Sequence, residues 1–429
     1  MQYESLTNGF QVIYEKPPCS IPITSIYVVC KISAIHEPKH LRGISHLIEH
    51  MSFKGTTRTP DTQKFLEQFN TLGVEFNATT FHECVRFEVK CPDSHVEKCI
   101  KLLSESILSC EFSLKNFKKE ENVVDEENRR ADDNPEYVVA IANYELVFDD
   151  TQFQFPVDHS RYHTTKFNYK EVYDYYKKTY IPSNLFLSIT TNISFENILK
   201  YIKKSQFSKG VSHPPVAMNY IPQRDGFEYQ IIHKKTFKTI FLNVSFKTCD
   251  YYNEDRFMLN LLSTVLGDGL NGRLVDILRQ KHGLVYYANA WNDYNFCGGT
   301  FTISTQCDPN SLMKKNGVLP LLIHELKKLK EGITQKELTI AKIKTKERDV
   351  FDLENSNTLT AYNAWQLLYK PFSQIIPYSK VYETNIENIT LSDMKACIKK
   401  YFCFERMCLI VVGSNIPSTD SLLYECCKL

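Results

Sequence analysis

His46-Leu47-Ile48-Glu49-His50 is the stretch whose reading decides the rest of the chain. Two histidines four apart on a helix leave the same face about one turn apart, so both imidazoles can reach one metal ion. Glu49 directly precedes His50 and lies three after His46, close to the open side of such a metal, where a carboxylate can take a proton from water. The spacing is the inverse of the commoner His-Glu-x-x-His zinc pattern. A chain with 12 His and 50 acidic residues can also produce five such residues by chance, and a third ligand must come from elsewhere. Carboxylate candidates lie in Lys118-Lys119-Glu120-Glu121-Asn122-Val123-Val124-Asp125-Glu126-Glu127-Asn128, where helix formers surround an apolar pair. An exposed charged helix face is the ordinary reading of so acidic a run.

The longer stretch Gly43-Ile44-Ser45-His46-Leu47-Ile48-Glu49-His50-Met51-Ser52-Phe53-Lys54-Gly55-Thr56 resembles the active-site segment of the pitrilysin/insulinase family, and most of all its short members of the mitochondrial-processing-peptidase type. The resemblance implies a third ligand well downstream, which falls on Glu127, 77 residues after His50. It also implies a supporting carboxylate seven residues before that ligand, at Glu120, orienting the ligands or the active-site water. Glu121 and Glu126 are then expected to face solvent.

At 429 residues the chain exceeds one ordinary core, and length alone suggests about two to three domains. A net charge of +1, with Lys and Arg spread along the sequence, implies no general attraction to nucleic acid or to an anionic membrane. The 14 Cys show no Cys-x-x-Cys spacing, and most, including Cys30, Cys99, Cys297 and Cys408, sit in apolar segments. Buried, reduced thiols in an intracellular protein are expected, without a metal role. Leu6 to Tyr14 already reads as a turn and a strand, leaving no room for a signal or targeting peptide, and no apolar run approaches the ~20 residues of a membrane span. The expected compartment is the cytoplasm.

Strands are expected at Gly9–Tyr14, Ser25–Ser33, Val74–Phe81, Glu83–Val89 and Leu185–Thr191. Helices are expected at 60–72, with Thr59 as N-cap and Pro60 in the first position, and at 92–110, 114–130, 135–148 and 168–180. The strand Val74–Phe81 resembles the family's substrate-binding edge, which implies that Asn77, Ala78 and Thr79 bind extended peptide through the main chain. An ordinary core strand is the alternative. His159 and His163 lie four apart without a useful acidic neighbour and read as structural or surface residues.

A weak repeat relates the halves. A shift of 222 residues places Phe167 on Ile389, Lys177-Lys178 on Lys399-Lys400, and Leu185–Ile189 on Met407–Val411, while Tyr229-Gln230-Ile231-Ile232 echoes Phe10-Gln11-Val12-Ile13. The expected fold class is therefore α+β: two homologous domains from an internal duplication, each a mostly antiparallel sheet packed with helices. The expected boundaries are 1–210 for the zinc domain, 211–225 for a linker and 226–429 for the second copy. That copy lacks His-x-x-Glu-His and so carries no duplicate zinc site. Its stretch Gly267 to Tyr286 resembles the family's glycine-rich loop and following helix, which implies that Arg279 and Tyr286, seven apart, bind substrate and stabilise the transition state. It lacks the endings of a phosphate-binding loop, and a purely structural glycine turn is the other reading.

The resemblance thus implies a zinc peptidase acting on short or unfolded peptides, with one Zn2+ per chain on His46, His50 and Glu127 and with Glu49 as base. Manganese or cobalt also suits such a ligand set. Because the zinc residues and the Arg279/Tyr286 pair fall in different copies, a homodimer is expected, with a heterodimer as the alternative. No nucleic-acid or membrane partner is expected. A non-catalytic subunit of a peptidase-like assembly is the rival class.

Overall fold

In the computed structural model, which describes residues 1–158, 166–214, 220–267 and 269–429, the first part of the chain builds a six-stranded sheet. His159 and His163 lie outside the described residues. The strands are β1 (Gln2–Ser5), β2 (Gln11–Glu15), β3 (Ile23–Cys30), β4 (Glu75–Thr80), β5 (Val85–Pro92) and β6 (Leu185–Thr190). They lie in the order β1-β2-β6-β3-β5-β4, and all neighbours are antiparallel except β2 and β6. A strand buried on both faces reads as a continuous apolar run. Central β6 is buried along its whole length and β3 at every position but the first.

The second sheet is made of β7 (Glu228–His233), β8 (Ile240–Thr248), β9 (Val285–Tyr294), β10 (Gly299–Cys307) and β11 (Met407–Gly413), in the order β7-β11-β8-β10-β9. Apart from β1 it repeats the first sheet strand for strand, and its one parallel pair is again the first with the last, β7 with β11. The helices Tyr169–Thr179 and Leu391–Tyr401 stand 222 residues apart at both ends, as do the starts of β6 and β11. The fold is a duplicated α+β architecture. One detail corrects the sequence alignment. Gln11 pairs with Phe186, and the equivalent of Phe186, Cys408, pairs with Glu228. Glu228, not Gln230, is thus the counterpart of Gln11. The slip of two residues keeps every side chain on its face.

Contacts divide the chain into two units, each drawn from three segments. One comprises Met1–Arg129, Pro156–Asn219 and Asp349–Lys380; the other comprises Arg130–Phe155, Tyr220–Arg348 and Val381–Leu429. A division into 1–210, 211–225 and 226–429 differs from these units in the placement of two helices. Pro135–Val147 packs on β8 and β11, and Ser356–Tyr369 packs on β3 and β6. Each sheet therefore receives, on one face, a helix from the other half of the sequence. Hydrogen bonds fix both: Ser245 Oγ donates to Asn143 Oδ1 at 2.5 Å, and Asn363 Nδ2 donates to Glu15 Oε2 at 2.6 Å. Tyr369 also donates its hydroxyl to buried Glu83. Ser245, Asn143, Asn363, Tyr369 and Glu83 are buried, so each of these polar groups needs its partner.

Most expected helices form within two or three residues of their predicted ends. The helix expected from Pro60 begins instead at Thr62, because Asp61 is the N-cap and its carboxylate accepts the Lys64 N–H at 2.8 Å. Among the described residues no helix is long and apolar enough to cross a membrane.

Gly267, the last residue of the helix Asp255–Gly267, lies against β9 so closely that an added Cβ would stand 2.2 Å from Ala290 N. Part of the glycine-rich turn is therefore a packing requirement. Gly267→Ala should cost on the order of 1–3 kcal/mol through overpacking, read as a lower midpoint of thermal unfolding. A variant as stable as the parent would mean that this contact is looser than described.

Candidate active site

The helix Ile44–Met51 buries Ile44, Leu47, Ile48 and Met51 in the core and leaves His46, Glu49 and His50 on its half-exposed side. Its imidazoles stand edge to face with ring centres 4.8 Å apart. The helix Leu114–Asp132 brings Glu127 to them: Glu127 Oε2 lies 3.3 Å from His50 Nε2 and 3.8 Å from His46 Nε2. Ligand atoms of the three residues all lie within 4.8 Å of one another. Zinc bonds of ~2.0–2.2 Å in a tetrahedral set place ligands roughly 3.3 Å apart, so modest closure suffices.

Glu120, one side of the same helix and two turns earlier, is fully buried and sits 3.3 Å from His50 Nδ1 and 2.9 Å from Lys54 Nζ. An ionised carboxylate only accepts, so Nδ1 of His50 carries the proton and the lone pair of Nε2 faces Glu127. Burial would raise the Glu120 carboxyl, but His50 and Lys54 pull it below its usual value. His50 is raised against the effect of its own burial by Glu120, Glu127 and Glu49, a field that equally favours a bound cation. His46 is pulled down to about 4 by burial and by His50, so it is neutral and able to donate a lone pair. Its Nδ1 is buried without a hydrogen-bond partner among the described residues. Donor set, spacing and field all fit a divalent metal.

Glu49 stays off this triad. Its Oε2 accepts the Thr80 hydroxyl at 2.5 Å, and burial raises its carboxyl above the usual range, opposed by Thr80. Thr80 ends β4, which is the outer strand of its sheet, and Asn77, Ala78 and Thr79 precede it there. On its inner side β4 pairs Asn77 with Glu88, Ala78 with Phe87 and Thr79 with Arg86. The candidate peptide edge thus runs into the residue that holds the candidate base.

In the second unit, Tyr286 is the second residue of outer strand β9 and is 80% exposed. Arg279 lies in the helical segment Asp276–Lys281, and its guanidinium carbon is 5.1 Å from the Tyr286 ring centre. The two residues that the resemblance pairs are close to one another.

Three residues differ from the sequence expectations or lie outside them. Glu126 is exposed and pairs with Arg129 at 3.2 Å, but Glu121 does not face solvent: it is buried and accepts the Phe167 N–H at 3.0 Å. The contacts of Lys54 and Thr80 are absent from the sequence expectations: Lys54 lies four after His50, a spacing that places it near that helix, whereas a threonine in a strand carries no such signal.

The family described as Insulinase (Peptidase family M16) matches residues 13–157, and the one described as Peptidase M16 inactive domain matches residues 166–345. The chain belongs to the insulinase family of peptidases. The inactive-domain match falls largely on the copy without the His/Glu motif. An uncharacterized zinc protease of Rickettsia bellii is 26% identical over 96% of this chain and 97% of its own length. The uncharacterized zinc protease YmxG of Bacillus subtilis is 25% identical over 96% and 98%. The crystal structure of a protease from Helicobacter pylori superposes with a TM-score of 0.87 at 22% identity, covering 96% of this chain and 99% of that one. The peptidase M16 inactive domain from Pseudomonas fluorescens superposes at 0.84 with 16% identity, over 97% and 98%. The last two likenesses concern the fold.

For this insulinase-family site, Glu127→Ala should abolish stoichiometric zinc binding, Glu126→Ala should leave it intact, and Glu120→Gln should weaken it by ~10–100-fold. Metal content after dialysis checks all three. Zinc lost from Glu126→Ala and kept by Glu127→Ala would overturn the assignment of the third ligand.

Proposed function

We propose that this chain is a zinc-dependent peptidase hydrolysing peptide bonds in short or unfolded peptides, with His46, His50 and Glu127 as the ligands. The observation that carries the reading is the convergence of His46 Nε2, His50 Nε2 and Glu127 Oε2 beside a carboxylate, Glu49, that does not join them. When bound, zinc supplies Lewis acidity for a carbonyl and for water. Glu49 accepts the proton of the attacking water as its oxygen bonds to the scissile carbon, then delivers that proton to the departing amine nitrogen as the C–N bond breaks. The raised carboxyl of the half-buried Glu49 suits both directions of transfer. Main-chain groups on the outer side of β4 at Asn77, Ala78 and Thr79 hold the peptide extended, which asks little of its sequence. The Tyr286 hydroxyl and the Arg279 guanidinium serve as donors to the carbonyl oxygen as it gains charge.

The same proposal includes a two-fold homodimer in which the partner subunit's Arg279 and Tyr286 complete each zinc site. A cytoplasmic setting accords with the 14 cysteines, none of which forms a disulfide in the structure. The rival reading, a non-catalytic partner subunit, is favoured by the inactive-domain likeness but would ordinarily go with loss of a ligand or of the base.

Glu49→Gln should keep fold and zinc while reducing cleavage of a peptide library by ~10²-fold or more. Substantial turnover in the zinc-replete variant would refute the role of Glu49, chelator-insensitive cleavage by the parent would refute zinc dependence, and absent cleavage would favour the partner-subunit reading. For the dimer, mixing Glu49→Gln chains with Tyr286→Phe chains should restore activity, since one site of each mixed dimer then carries neither change. Silence despite demonstrated subunit exchange would exclude shared sites.

A further inference from the structure

The helix Ile44–Met51 is only eight residues long, yet it presents His46, Glu49 and His50. So short a helix does not hold its own pose, and its free N–H groups need acceptors. Gly43 at its N-cap has φ +89° and no side chain with which to cap. Glu37, six residues upstream, does it instead: Oε2 accepts the Gly43 N–H at 2.7 Å and Oε1 accepts the Ser45 N–H at 2.6 Å. Burial raises the Glu37 carboxyl to about 7, and the two N–H groups together with the local dipole favour its ionised form against that burial.

The segment that delivers Glu37 is itself tied down. The Ser33 hydroxyl donates to Phe81 O at 2.6 Å, the Ile35 N–H donates to His82 O at 3.0 Å, and Ile35 is buried. Phe81 and His82 immediately follow Thr80, which holds Glu49 from the other side. The helix is therefore tied twice to the end of β4, by Glu37 at its first turn and by Glu49 at its last.

We propose that Glu37 is a positioning residue that sets the pose of the His46/Glu49/His50 helix against the outer strand β4, and with it the geometry of the zinc ligands and the distance from a bound peptide to the base. This rests on the reading of the helix as the zinc and base carrier. Glu37 touches neither metal nor substrate in it; it acts through the Gly43 and Ser45 N–H groups.

Glu37→Gln removes one of the two acceptor oxygens at constant size. We expect zinc affinity, measured by competition with a chromophoric chelator, to fall about 10-fold, and kcat on a library-derived peptide to fall similarly with KM little changed. A purely structural cap would lower the thermal midpoint of the metal-free protein and leave zinc affinity and kcat at the parent's level. That outcome, in a variant with the parent's far-ultraviolet dichroism, overturns the proposal. Should Glu37→Gln not fold, Glu37→Asp decides: it keeps the charge but spans only one N–H, and parental zinc affinity and kcat in it overturn the proposal equally. A parent that binds no zinc would instead refute the zinc reading, and a parent that binds zinc without cleaving peptides leaves the affinity measurement as the deciding one.

Discussion

The contact between His50 Nδ1 and the buried carboxylate of Glu120 is the constraint from which the rest of the site follows. It joins two helices remote in sequence, and it does so by fixing a proton. With Nδ1 committed to Glu120, Nε2 is the nitrogen left for a metal, and it faces Glu127. A carboxylate so deeply buried is tolerable only because His50 and Lys54 both compensate it. Lys54 has a further consequence. It lies just past the end of the Ile44–Met51 helix, so the pair closes the C-terminal side of the site as Glu37 closes its start. Removing Glu120 would leave both a cation and a histidine tautomer unassigned.

The duplicated sheets turn the same frame to different uses. In each, the outer strand lies next to the hairpin partner, β4 beside β5 and β9 beside β10, and each presents one open row of main-chain groups. The residues proposed for binding, Asn77 to Thr79 and Tyr286, all lie on these outer strands. The segment before the outer strand is where the copies diverge. In the first it holds the His/Glu helix; in the second it holds the helix Asp255–Gly267, whose terminal glycine approaches β9 so closely that a Cβ there would meet Ala290 N.

Most local elements were legible because their signals are local: β-branched runs for the buried central strands, caps and glycines for helix ends, and the 222-residue echo for the duplication. The candidate cluster of His46, His50 and Glu127 was legible because two histidines four apart share a helix face and because the resemblance named the distant carboxylate. What escaped was long-range. The helices Pro135–Val147 and Ser356–Tyr369 bury residues around much of their circumference, among them Val138, Ile141, Asn143 and Leu359, Asn363, Leu367. With no wholly polar side, their patterns carry no mark of which sheet they cover. Glu121 was misplaced for the same reason: its acceptor role depends on the Phe167 N–H, 46 residues away, and a charge in an acidic run looks solvated until that partner is known.

Thr80 illustrates how function can reside in a residue that sequence patterns treat as filler. A threonine in a strand is ordinary, and its hydroxyl becomes chemically relevant only because β4 ends beside the helix that carries Glu49. The base must be neither a ligand nor free to swing. A carboxylate next in sequence to His50 could reach the metal if its rotamer allowed. The Thr80 hydroxyl gives it a competing partner, and burial keeps water from replacing that partner. The separation between the proposed base and the proposed ligands is therefore maintained by the strand proposed to hold the peptide, so the groups proposed to bind substrate and to transfer its proton belong to one hydrogen-bonded frame.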